Sequence, residues 1–230
     1  MPGRSTSKNR PSAPLLAVTV YANVPEAQTF DDVAEVLHRL GNRTGLREVA
    51  RLDERTGEPA TIGELFQLHR FGPARCEYAR RWSPDDRHPI AVLLSAAELG
   101  YPIDHLTKHQ IAAAAKRRKF ARQLLQHLST LPGILYGTID IEQPFPTPAA
   151  MPWVPLSPDL YLSNGLLLPG TVDAVDSLYE SMNGESKTWP NGRFYTLPDS
   201  KTTSEISLLS TTLTEIVARA VTSRRHRGER

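Results

Sequence analysis

The chain has 230 residues, of which 40% are hydrophobic, 23% charged and 7% aromatic. That is enough apolar material for a substantial core and argues against wholesale disorder, while no run approaches the roughly 18 apolar residues of a membrane span. The single cysteine, Cys76, excludes an internal disulfide framework and a cysteine-rich zinc site, and points to a reducing, cytoplasmic setting.

The net charge of +2 hides an asymmetry. Residues 1–14 are net +3 through Arg4, Lys8 and Arg10, and residues 224–230 are again net +3, which leaves −4 for residues 15–223. The basic pI therefore belongs to two arms, and nucleic acid is expected to be engaged only through those tails, since phosphate binding needs a concentrated positive surface. The expected organisation is a disordered basic arm (1–14), one α+β domain (15–223, which could divide into halves 15–100 and 101–223) and a disordered basic tail (224–230).

In chain order, Leu15 to Ala22 reads as a strand, and Pro14 and Thr19 make the same stretch too short and interrupted for a signal peptide. Thr29 is expected to cap a helix with Phe30, Val33, Val36, Leu37 and Leu40 on one face and Gly41 at its end. A strand at Leu46 to Leu52 would complete a β-α-β unit with a connection long enough for a parallel crossover. The middle reads as helical. Short helices are expected at Thr61 to Leu68 and Pro89 to Leu99, and a long one from Lys108 to about Leu131, opened by a capping box of Thr107 and Gln110.

Ile134 to Glu142 alternates with period two, Tyr136, Thr138, Asp140 and Glu142 standing opposite the apolar set. Six prolines between Pro144 and Pro158 then prevent helix or interior strand and favour extended backbone. Short strands are expected at Leu160 to Ser163 and Leu166 to Leu168 around Asn164-Gly165. A helix capped by Thr171 and stopped by Asn183-Gly184 follows, then a strand from Gly192 to Leu197. The last element is a helix with a Thr202/Glu205 capping box and Ile206, Leu209, Leu213, Ile216, Val217 and Ala220 on one side. The fold expected is α+β: a mixed β-sheet with helices packed on it, and β-α-β units at both ends of the chain around a helical middle.

Candidate chemistry is sparse. Asp140 and Glu142 share one face of a strand with Tyr136 and could work as an acid and base pair, although solvent-facing positions on an amphipathic strand explain them more simply. His105 and His109 have the i, i+4 spacing of a zinc pair, but a helix beginning after Thr107 leaves His105 outside it, so no metal site is expected. Lys116 to Lys119 is a basic run on consecutive helical positions, which spread around the helix instead of forming a stripe. Cys76 reads as a packed small hydrophobe.

Phe145, Met151 and Trp153 lie within the proline-rich segment, where extended backbone offers contact area at low entropic cost. Together with Arg80 and Arg81, which could dock an acidic partner, they are the candidate binding residues. There is no G-x-S-x-G, H-E-x-x-H, P-loop or G-x-G-x-x-G motif, so the common hydrolase, zincin and nucleotide-binding routes lack their handles, and no cofactor is expected.

The leading expectation is a non-enzymatic cytoplasmic protein that binds another protein, of the type that neutralises or escorts a partner as immunity proteins and antitoxins do in bacterial defence. The alternatives are a hydrolase or transferase with a distributed site near Asp140 and Glu142, and a nucleic-acid-associated protein using the basic tails. No membrane partner is expected, and oligomeric state is left open.

Overall fold

Leu15–Ala22 (β1) is apolar or β-branched at nearly every position, and all but its first residue is buried. Such a strand must be covered on both faces, and its place in the sheet follows from that requirement. In the computed structural model, which describes residues 11, 14–45, 47–52, 59–79, 89–96, 107–141, 156–198 and 203–228, β1 lies centrally between Ile90–Ser95 (β6) and Ile134–Ile141 (β7), antiparallel to both.

The remaining elements are helix α1 (Glu26–Leu40), strands β2 (Gly41–Arg43), β3 (Glu48–Leu52), β4 (Pro59–Leu68) and β5 (Gly72–Ala79), helix α2 (Lys108–Leu128), strand β8 (Leu160–Ser163), helix α3 (Pro169–Ser181), strands β9 (Glu185–Trp189) and β10 (Gly192–Thr196), and helix α4 (Thr203–Gly228). The strands form one sheet in the order β2-β4-β5-β6-β1-β7-β8-β10-β9, with β3 also paired to β4. The fold is α+β, with a strand, helix and strand in succession at both ends of the chain, as expected. Every strand pairing among the described residues is antiparallel, so the anticipated parallel crossover is replaced: β3 joins β4, not β1.

Helices cover both faces, making three layers. On one face Phe30, Val33 and Leu37 of α1 and Phe120, Leu124, Leu125 and Leu128 of α2 bury against Val18, Val20, Phe66, Cys76, Val92 and Ile139. On the other, Val175 and Tyr179 of α3 and Leu209, Leu213 and Val217 of α4 bury against Tyr21, Tyr136, Leu160, Leu162 and Tyr195. Each fully buried side chain of this size contributes about 1.5–3 kcal/mol. Among the described residues no helix is long and apolar enough to cross a membrane.

Several local readings are corrected. Residues 61–68 and 90–95, anticipated as helices, are strands. Phe66 and Leu68 point into the core while Gln67 between them is exposed, a period-two pattern that apolar content alone does not distinguish from a short helix. Helix α1 starts at Glu26 after Pro25. Thr29 lies inside it, buried, its hydroxyl donating to the Pro25 carbonyl at 3.3 Å.

Similarly, Leu168 precedes α3 with Pro169 in its first turn, so Thr171 does not cap it. Residues 164–166 form a turn into that helix, not a hairpin to a strand at 166–168. Strand β9 was not anticipated, because its residues Glu-Ser-Lys-Thr carry no apolar alternation. Helix α4 continues to Gly228, past the expected boundary at 223. The capping box of α2 forms as expected, Thr107 Oγ1 accepting from Gln110 N at 3.3 Å and Thr107 N donating to Gln110 Oε1 at 2.9 Å.

At Gly137 strand β7 passes close beneath Leu125 of α2. A methyl group there would stand 2.8 Å from the Thr19 carbonyl oxygen and 2.7 Å from Leu125 Cδ1. Gly137→Ala is expected to destabilise the protein by about 1–3 kcal/mol through overpacking, measured as a lower urea midpoint at unchanged slope.

Candidate functional site at the end of strand β7

With both sheet faces covered, polar side chains converge where strands end. Pairing of Leu160 with Tyr195 sets Asp159 level with Thr196, and Ile139 N donates to the Asp159 carbonyl at 3.1 Å. The Thr196 hydroxyl donates to Asp159 Oδ1. Helix α2 brings Arg122 to the same point: its Nη2 donates to Thr196 Oγ1 at 3.1 Å and lies 3.6 Å from Asp159 Oδ2. The guanidinium sits 6.0 Å from the centre of the Phe194 ring. Arg118, one turn earlier on α2, adds its charge to the field at Asp159.

The chain entering β8 is pinned from three sides. Ser157 Oγ donates to the Ile139 carbonyl at 2.7 Å, Leu156 N donates to Thr214 Oγ1 of α4 at 2.8 Å, and Tyr179 Oη of α3 donates to the Pro158 carbonyl at 2.5 Å. Around this re-entry point lies a cavity of about 340 Å³ whose described lining includes Asp140, Asp159, Arg118, Arg122, Ser157 and Ile206. A second cavity, about 220 Å³, shares Arg122, Leu197 and Pro198 with it and adds Asn183, Glu185 and Thr196. The larger volume is at the low end for small-molecule sites.

Burial governs the electrostatics. It pushes the Asp140 carboxyl up to about 6, against the stabilising hydrogen bond from Ile141 N at 2.7 Å and with help from the neighbouring Asp159 charge. It also raises Asp159, outweighing the hydrogen bond from Thr196 and the charges of Arg122 and Arg118. Two carboxyls whose burial opposes ionisation, set beside two guanidiniums at a concave opening, can recognise a group that both donates and accepts hydrogen bonds, and Asp140, pushed up to about 6, can exchange a proton there.

Of the residues singled out in the sequence, Asp140 lines this cavity. Tyr136 shares its strand face but is fully buried beneath α3 and α4 and stacks on Tyr21 at 4.9 Å, so that face is covered by protein and is not the solvent-facing one anticipated. His109 is exposed in the first turn of α2. Glu142, Phe145, Met151, Trp153, Arg80, Arg81 and His105 lie outside the described residues. Among the described residues no group of three or more metal-ligating side chains gathers. Cys76 is buried, and burial raises its thiol well above the usual range, disfavouring the reactive thiolate.

Asp159, Thr196, Arg122 and Ser157 were not legible as a site. They come from three separate stretches of chain, and the one available signal was the i, i+4 pair Arg118 and Arg122 flanking the apolar face of α2. Comparison of the chain with protein-family models, with curated proteins and with solved structures gave no match.

Because Asp140 titrates higher in the folded state than the ordinary 3.8, ionising it opposes folding. The penalty is absent at low pH, grows as pH rises from about 4 to 6 and is constant above that. Asp140→Asn keeps an acceptor for Ile141 N and removes the charge. The variant is expected to match the parent near pH 4 and to exceed it by about 1–3 kcal/mol at pH 7.5, measured by denaturant unfolding at both pH values.

Proposed function

We propose that the protein works by binding another protein, at the cleft at the end of β7 and through the proline-rich segment whose two ends meet there. One observation carries this reading: Ile141 and Ser157, which bracket residues 142–155, both line the cavity where Asp140, Asp159, Arg118 and Arg122 converge. The sequence supplies the complementary half. Phe145, Met151 and Trp153 offer contact area, and aromatic anchors dominate interface energetics. The cleft offers orientation, with guanidinium donors beside a carboxyl that can donate or accept.

The net −4 of residues 15–223 favours encounter with a basic partner. A role in neutralising or escorting that partner in the cytoplasm, as an immunity protein or antitoxin does, is part of the same proposal. So is a contribution from Arg80 and Arg81 toward an acidic part of its surface.

The value near 6 for Asp140 at a concave site favours a second reading, general acid–base chemistry in a hydrolase or transferase. The two are separated by what is captured. A photo-crosslinking side chain at position 153, in the full chain expressed in its own cells, is expected to trap one protein reproducibly, and the same side chain at Leu208, exposed on α4, is expected not to. With that partner purified, Trp153→Ala should weaken binding by about 2 kcal/mol or more, and Arg118→Ala should weaken it chiefly through a faster off-rate. Capture of the same protein from both positions, or none from 153, overturns the binding reading.

A further inference from the structure

The sheet ends at β9, and no described strand pairs with its outer side. Glu185, Ser186, Lys187 and Thr188 are all exposed, whichever face they take, while Trp189 is buried and stacked on Phe194 at 4.7 Å, with the planes 3° apart. A strand held firmly at one end, whose outer peptide groups meet no described partner, is a template for another strand. We propose that the occupant is a second copy of the chain, pairing β9 with β9 antiparallel about a two-fold axis through Ser186, so that two sheets become one.

The register follows from symmetry and charge. A two-fold axis normal to the sheet keeps each face on its own side, and directly opposed residues of an antiparallel pair share a face, so the axis passes through a residue and not between two. Centred on Glu185 it would oppose two carboxylates, and centred on Lys187 two ammonium groups. Centred on Ser186 it sets Glu185 opposite the Lys187 of the second copy, twice. Glu185 and Lys187 already lie 3.6 Å apart within the strand. The four charges then alternate around a square, each with opposite charges as its nearest neighbours. Opposed pairs of this kind stabilise a sheet and like charges directly opposite destabilise it, so the charges of β9 favour the register centred on Ser186, the one that sets both opposite-charge pairs face to face.

Charge exchange on the full chain tests this. Sedimentation velocity across a concentration series is expected to show a reversible dimer of the parent protein. Glu185→Lys and Lys187→Glu should each raise its dissociation constant about tenfold or more, since two attractive pairs become two repulsive ones. Both positions are exposed, and circular dichroism is expected to confirm that both variants fold.

The two variants mixed in equal amounts restore both opposed pairs, and native mass spectrometry is then expected to show a one-to-one heterodimer. A parent protein that stays monomeric at millimolar concentration, a dimer indifferent to both substitutions, or a mixture that fails to restore association would overturn the proposal.

Discussion

Everything in this molecule is arranged around the burial of β1 on both faces. A strand of that composition cannot lie at an edge or over solvent, so it takes neighbours on both sides and helices above and below. Helices α1 and α2 seal one face around Val18 and Val20, and on the other face α3 and α4 bury Tyr21 together with Tyr136. The consequence reaches the chemistry. With both broad surfaces of the sheet used for packing over their centre, polar groups gather at strand termini, and the cleft beside Asp140 forms where β1 begins, β7 and β10 end and β8 starts.

The polar network there is as much a clamp as an opening. Arg122 links α2 to β10 through Thr196 and to the β8 entry through Asp159, and the Asp159 charge helps to keep Asp140 hard to ionise. A comparable arrangement stands at the far end of the sheet. There Glu64, nearly fully buried, faces Arg43 and Arg47, and Arg47 also reaches Asp31 of α1 while lying over the Phe30 ring. Paired in this way, a buried carboxylate fixes the loop after α1 to the core, and removing one partner would strand a charge.

Helices with long one-sided apolar patterns were legible in the sequence: α2 and α4 fall where their periodicity puts them, and the Thr107 and Gln110 cap is seen directly. So were β1, β7, β8 and β10. Residues 61–68 and 90–95 were not, because a short apolar run carries too few positions to separate a period of two from one of 3.6, and burial from helices on both faces blurs the alternation further. Strand β9 escaped because four of its five residues, Glu185 to Thr188, are polar and exposed and leave no alternation to read. The site was legible only at Asp140, since Asp159, Thr196 and Arg122 are joined by register and helix placement, which no local spacing encodes.

Strands β7 and β8 are adjacent and antiparallel, with Thr138 opposite Leu160. Two such strands can be joined by a turn of two residues, yet this chain uses residues 142–155 and the few that follow before β8 begins. Closure entropy rises only by about 0.6 kcal/mol for each doubling of loop length, so the sheet tolerates the surplus chain at small thermodynamic cost. Prolines spaced along it reduce the freedom lost if it is ordered. The connection between β7 and β8 can thus differ in length and composition at small cost to the pairing of the two strands it joins.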